Sequence, residues 1–108
     1  MPRNPSAKPA HLFAALGDET RLRLVARLCR GGPQSIVRLT EGSQVTRQAV
    51  AKHLRVMEYA KLVHGSRRGR ESVWEIDGQR LADARRYLDR ISMQWDDALA
   101  RLKALVEK

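Results

Sequence analysis

The chain has 108 residues, of which 43% are hydrophobic and 31% charged, as is typical of a single soluble domain with a modest core. This composition excludes fibrous and low-complexity proteins, and no apolar run is long enough to span a membrane. The net charge of +9 favours a polyanionic partner, with nucleic acid ahead of a membrane surface or an acidic protein.

Two features that the sequence lacks indicate where the protein is located. Its single cysteine, Cys29, rules out an intrachain disulfide, and the N-terminus has no apolar signal segment. We therefore expect a cytoplasmic protein. Residues 1–9 hold three of the four prolines, which predicts a flexible N-terminal arm before one domain over residues 10–108.

Two helical segments begin the domain. The apolar residues 11–16 end at Gly17, and Asp18 is a good N-cap for a second helix over residues 19–30. The apolar residues of the second helix form a wide face: Leu22, Leu24, Val25, Leu28 and Cys29. We expect Cys29 to be a small buried residue on that face.

A pair of short helices follows. Ser35 is a good N-cap for a third helix, residues 42–44 form a tight connection, and Thr46 caps a fourth helix. In this fourth helix the apolar residues Val50, Leu54 and Met57 lie on one side. The opposite side carries no acid and consists of Gln48, Ala51, Lys52 and Arg55. A solvated face usually mixes acids with bases, so this one favours contact with phosphates and base edges.

The next segment predicts a β-hairpin. Residues 62–66 and 71–76 have β-branched and aromatic content, and Arg67-Arg68-Gly69-Arg70 lies between them. We expect Trp74 and Ile76 to hold the hairpin against the helices. A hairpin directly after a helix-turn-helix is a wing, here with three arginines at its tip.

The last segment, about residues 78–107, predicts one long helix with a heptad repeat. Leu81, Leu88, Trp95 and Leu102 are spaced by seven, and Ala84, Ile91, Ala98 and Leu105 follow each by three. This stripe predicts a dimer interface shared with the first helix; the alternative is a helix packed wholly on its own domain. The expected interface residues are Leu12, Phe13, Leu81, Leu88, Ile91, Trp95, Leu102 and Leu105.

Two runs resemble the signature of ArsR/SmtB-type winged-helix repressors. They are residues 16–24 (LGDETRLRL) and residues 45–57 (VTRQAVAKHLRVM), and the likeness continues through the wing and the last helix. The resemblance implies a mainly α, dimeric fold of about five helices with a small β-hairpin, and a transcription regulator that often represses its own operon. Lys61 departs from the family, whose members usually end the recognition helix with Gly.

Metal-sensing members of this family carry a Cys-x-Cys-type pair on the third helix, or Asp and His ligands on the last one. Here residues 35–40 contain no Cys, His or Asp, and the last helix contains no His. Soft metals require thiolate or imidazole clusters. The resemblance is therefore to the metal-independent branch, and we predict no metal site and no cofactor.

The positive charge is concentrated where the expected DNA contacts lie. Residues 46–70 carry seven Lys or Arg and one acid, whereas residues 77–108 carry seven against six. The predicted contacts are Ser43, Thr46, Arg47, Gln48, Lys52, Arg55, Arg67, Arg68 and Arg70. Gln pairs with adenine and Arg with guanine in the major groove, whereas we expect the wing arginines at the backbone or minor groove. We interpret His53 as a packed structural residue.

We therefore predict a homodimer that binds a pseudo-palindromic operator in double-stranded DNA and represses its own or a neighbouring operon. Two alternatives use the same basic helix and wing: a protein-interaction module and a non-specific nucleoid-type DNA binder. An enzyme is disfavoured, because the chain has no phosphate loop, dinucleotide fingerprint or metal-ligand spacing.

Overall fold

A computed structural model describes residues 8–107 and contains, within them, five helices and three short strands. The elements in chain order are α1 (Pro9–Leu16), α2 (Glu19–Gly31), β1 (Gln34–Ser35), α3 (Ile36–Thr40), α4 (Arg47–Tyr59), β2 (Val63–Arg68), β3 (Glu71–Ile76) and α5 (Gly78–Val106). The predicted mainly helical fold with a small sheet is confirmed. The predicted arm lies outside the described residues except for Lys8, the N-cap of α1, and Pro9, its first residue.

Local capping chemistry sets where most helices begin. In four of them a polar side chain accepts a hydrogen bond from the backbone N–H three residues later, which satisfies a donor that the helix itself leaves free. The caps are Asp18, Ser35, Thr46 and Asp77, for α2, α3, α4 and α5. The first three were predicted from the sequence and are confirmed.

The sheet has one strand more than the predicted hairpin. Its order is β1-β3-β2 with both pairings antiparallel, and β1 places Gln34 opposite Trp74 and Ser35 opposite Val73. A two-residue strand shows no alternation of apolar and polar residues, so the sequence pattern did not reveal it. The third strand makes the wing more stable than an isolated two-stranded hairpin, which is marginal in water.

The hydrophobic core lies where α1, α2, α3 and α4 meet the start of β2. Its most buried large side chains are Leu12, Leu39, Val50, Leu54, Met57, Leu62 and Val63. Trp74 and Ile76 are half-buried and pack against this core, as predicted. The sheet is thereby fixed to the helices on one side.

Two sequence predictions about burial are wrong. Cys29 is exposed, not buried, because the inward face of α2 is centred on Leu24 and Leu28. Cys29 lies about 100° around the helix from Leu28 and therefore meets solvent. Leu12 was predicted to lie at the dimer interface. It is only 1% exposed and belongs to the core of its own protomer, so it cannot contact a partner.

Helix α5 starts on the domain and then leaves it. Ala84 is buried and Leu81 half-buried against the core, and the Phe13 ring of α1 lies 5.8 Å from that of Tyr87. Every described residue from Arg85 onward is exposed. The alternative of a helix packed wholly on its own domain is therefore wrong for this protomer.

Candidate nucleic-acid interface

Helix α4 is amphipathic, as the sequence predicts. Val50, Leu54 and Met57 are buried in the core. The contacts predicted on this helix are all exposed: Gln48, Lys52 and Arg55 lie on the opposite side, and Arg47 lies in the first turn. Because the buried side is fixed by the core, these polar side chains are held outward on a rigid element.

The turn before α4 is held by the two hydroxyls predicted to contact phosphate. Ser43 Oγ accepts from Val45 N–H at 3.0 Å, and Thr46 Oγ1 accepts from Ala49 N–H at 3.1 Å. Both residues are exposed, so each hydroxyl keeps its own proton as a donor toward an outside acceptor. The two residues therefore shape the turn as well as facing outward.

An arginine that sequence reasoning missed ties the recognition helix to its neighbours. Arg21 Nε donates to Ala15 O at 2.6 Å, and its Nη1 lies 3.2 Å from His53 Nδ1 on α4. Since an arginine is always a donor, His53 Nδ1 is the acceptor in this contact. Asp18 Oδ2 lies 3.8 Å from the same nitrogen, which confirms His53 as a packed structural histidine.

A second missed arginine holds α3, the first helix of the pair. Arg27 on α2 donates to the carbonyl oxygens of Arg38, Leu39 and Glu41 at 2.9 to 3.0 Å. These oxygens belong to the last turn of α3 and its C-cap, where the carbonyls lack the N–H four residues later that a longer helix would supply; Arg38 O also accepts from Glu41 N–H. Arg27 therefore sets the position of the turn that leads into α4.

The hydrogen bonds that cap α2 and α5 also lower the pKa values of the two capping aspartates. The backbone N–H of Arg21 donates to the Asp18 carboxylate and holds the pKa of Asp18 below its usual value. The backbone N–H of Arg80 does the same to the pKa of Asp77, with a further contribution from His64, whose Nε2 lies 2.7 Å from Asp77 Oδ2. Asp77 thus joins the start of β2 to the start of α5.

The wing arginines do not all lie at the tip, which corrects the predicted arrangement. Arg67 and Arg68 are the last two residues of β2, and only Gly69 and Arg70 lie in the turn. Gly69 has φ +63°, a left-handed conformation that favours glycine. Successive strand residues face opposite sides of the sheet, so Arg67 and Arg68 diverge. Arg68 pairs in register with Glu71, and Arg67 with Ser72.

A groove separates the wing from the C-terminal half of α4. It is lined by Glu58, Gly65, Ser66, Arg67, Ser72 and Trp74. Glu58 accepts from Gly65 N–H at 3.3 Å and thereby links α4 to β2. Arg67 is therefore the wing arginine on the α4 side of the sheet.

The cations of α4 and the wing carry charge that no described residue neutralises. Within residues 8–107, Arg47, Lys52, Arg55, Arg67, Arg68 and Arg70 form no ion pair, although all are exposed. On α5, in contrast, Asp83 pairs with both Arg80 and Arg86, and Lys103 pairs with Glu107. The remaining cations of α5, Arg85, Arg90 and Arg101, also form no ion pair within the described residues, but they share that helix with the unpaired acids Asp89, Asp96 and Asp97. The excess of positive charge therefore lies on α4 and the wing, the two elements expected to meet a polyanion.

The link after α4 is strained. Lys61 has φ +66°, and it is the one described non-glycine residue with a positive φ. The position at which family members usually have Gly is therefore left-handed in this chain, and a side chain there costs up to about 1 kcal/mol relative to Gly. The strain lies beside the basic face, to which Lys61 adds another exposed cation.

Residues 8–107 contain neither a membrane-spanning helix nor a cluster of metal ligands. No helix there is long and apolar enough to cross a bilayer. No group of three or more His, Cys, Asp and Glu side chains in the same range is arranged to hold a metal ion.

The chain is similar to known transcriptional regulators in both sequence and structure. No family model matches the chain. An HTH-type transcriptional regulator of Mycobacterium tuberculosis is 35% identical over 99 residues, covering 92% of this chain and 89% of that protein. A solved ArsR-like transcriptional regulator from Rhodococcus sp. RHA1 is 39% identical, with a TM-score of 0.76 over 90% of this chain and 91% of its own.

A more distant solved structure shares the fold. It is the homodimeric winged helix-turn-helix DNA-binding domain of a possible ArsR-family regulator from Mycobacterium bovis. Its identity is 20% and its TM-score 0.62, over 83% of this chain and 80% of that chain.

Proposed function

The chain belongs to the ArsR family of winged helix-turn-helix transcriptional regulators, and we propose that it works as a homodimeric repressor of a pseudo-palindromic operator, without a resident metal ion. Membership makes it a DNA-binding regulator. The dimer, the operator symmetry, the contact residues and the absence of metal sensing belong to the proposal.

The observation that carries the proposal is the unpaired positive charge on α4 and the wing. Gln48, Lys52 and Arg55 are exposed on a side of α4 that carries no acid, and Arg47 is exposed in the first turn of the helix. An arginine or glutamine on a recognition helix is able to make two hydrogen bonds to one base, so this face has the chemistry for sequence choice. The wing arginines add phosphate contacts, which strengthen binding without reading sequence.

The exposed stripe on α5 supports the homodimer. Leu88, Ile91, Trp95, Leu102 and Leu105 are all exposed in the protomer and recur at heptad spacing. An apolar stripe of this length on a small domain marks an interaction surface. We assign it to a second copy, with Phe13 and Tyr87 at its inner end, because two-fold pairing gives two recognition helices about one DNA turn apart.

The metal-independent assignment rests on ligand chemistry. α3 carries no Cys, His or Asp, and the described part of the last helix carries no His. Cys29 is exposed, but a single thiolate does not make a zinc or cadmium site. Titrating zinc or cadmium into the protein–DNA complex should leave the affinity unchanged, and release of DNA by either metal would contradict the assignment.

A competition binding experiment tests operator recognition against its two alternatives. A labelled duplex from the DNA upstream of the protein's own gene is titrated in excess random duplex at physiological salt. We expect a preference of about 10³-fold or more, as for specific DNA-binding proteins. Equal binding to both duplexes would favour the non-specific nucleoid-type binder, and no binding to either would favour the protein-interaction module.

A further inference from the structure

One exposed aromatic side chain lies among the cations of the recognition helix. Tyr59, the last residue of α4, is 66% exposed. It follows Gln48, Lys52 and Arg55 by eleven, seven and four residues. At 100° per residue these four side chains fall within about 60° of one another, so Tyr59 continues the basic face toward the C-terminal end of the helix.

We propose that Tyr59 contacts DNA and that its hydroxyl donates a hydrogen bond to a backbone phosphate. The proposal deepens the function above, since it rests on α4 being the element that meets DNA. It extends the contact surface by about 6 Å beyond Arg55, one helical turn further along α4.

The surroundings of Tyr59 favour an outside partner. Within residues 8–107 its side chain makes no hydrogen bond and no ring contact, whereas Tyr87 packs on Phe13. The ring borders a shallow cleft between α1 and α4 that is also lined by Ala14 and Val56. Although it borders this cleft, Tyr59 remains 66% exposed.

The position in the helix decides between a base and a phosphate. In helix-turn-helix proteins, residues near the N-terminus of the recognition helix contact base edges. Tyr59 lies at the opposite end, where the helix reaches the edge of the groove and meets the DNA backbone. Tyrosine hydroxyls are among the groups that donate to phosphate oxygens, and the exposed cations Arg55 and Lys61 lie on either side in sequence.

The nature of the contact predicts a distinctive salt dependence. A cation that neutralises a phosphate releases counterions and so steepens the fall of affinity with salt. A neutral hydroxyl makes the hydrogen bond without that release. Loss of the Tyr59 hydroxyl should therefore lower affinity at every salt concentration by the same factor.

The test compares Tyr59→Phe with the wild-type full chain by fluorescence anisotropy, on the upstream duplex and on a scrambled duplex, from 50 to 300 mM salt. We expect affinity to fall about tenfold on both duplexes, as for a hydrogen bond to a charged group, with an unchanged salt slope. Met93→Ala is the control, because Met93 is 67% exposed on the side of α5 away from the apolar stripe, and this variant should bind as the wild type does. Tyr59→Ala should lose at least as much affinity while its melting temperature stays that of the wild type.

Two results would overturn the proposal: wild-type affinity for Tyr59→Phe, or a loss confined to the upstream duplex, which would make Tyr59 a base contact. The result is independent of operator recognition. A phosphate contact contributes to binding on any duplex. If the wild-type protein shows no preference for its upstream region, the proposed operator recognition is wrong, but the affinities of wild type and Tyr59→Phe still show whether Tyr59 contacts a phosphate.

Discussion

Replacing Trp95 with aspartate tests the assignment of the α5 stripe to a second copy of the chain. Trp95 lies in the middle of the stripe and is 65% exposed in the protomer. A buried aromatic side chain removes roughly 200 Å² from water, so pairing would bury about 130 Å² more of Trp95. At about 25 cal/mol per Å², that is ~3 kcal/mol per side chain and ~6 kcal/mol for the symmetric pair.

The substitution should therefore raise the dimer dissociation constant by about 10⁴-fold, and the added desolvation of two carboxylates increases the effect. Sedimentation velocity at micromolar concentration measures it directly as a shift from dimer to monomer. Met93 provides a matched control, because it is 67% exposed and lies about 160° away around the same helix. Met93→Asp should remain dimeric. A dimeric Trp95→Asp, or a monomeric Met93→Asp, would refute the reasoning.

Four further substitutions test the site and its support. Arg55→Ala should cost about 1–3 kcal/mol on the operator and relax sequence choice, as measured by competition with single-base operator variants; an equal loss on every sequence would make Arg55 a phosphate contact. Arg68→Ala should weaken all duplexes alike and reduce the salt slope by about 1, whereas Arg101→Ala, far along α5, should change neither. Lys61→Gly should stabilise the fold by up to about 1 kcal/mol in chemical denaturation, and a loss of stability would show that the left-handed link is not strained. Asp77→Asn keeps the cap of α5 but removes a carboxylate whose pKa is lowered by folding. The variant should therefore be less stable than the wild type above pH 3.8, and the difference should shrink as pH falls through the lower folded-state pKa. A difference that does not shrink as pH falls below 3.8 would contradict this origin.

Local signals were sufficient for the recognition helix. Thr46 supplies a cap, and Val50, Leu54 and Met57 supply the buried side, so both the start of α4 and its orientation follow from residues close in sequence. The family resemblance identified Lys61 as a departure from the usual Gly, and the structure shows that this residue has a positive φ.

Long-range contacts decided what the sequence did not reveal. β1 exists because Gln34 and Ser35 meet β3 about forty residues later, and nothing in those two residues indicates a strand. Arg21 and Arg27 look like ordinary helix cations, and their bonds to α1, α3 and α4 appear only when the helices pack. Packing also decided that Cys29 is exposed and Leu12 is buried, because burial depends on which side of each helix the core covers.

The sequence by itself determined the charge of the interface, the caps and the period of each helix, because these properties arise within a few residues. Tertiary structure decided which apolar residues are buried within the protomer and which remain exposed for a partner. Leu12 and Leu88 are chemically the same residue, yet one fills the core and the other lies on the open stripe of α5. Only packing distinguishes them, since burial depends on what lies opposite a side chain and not on the side chain alone.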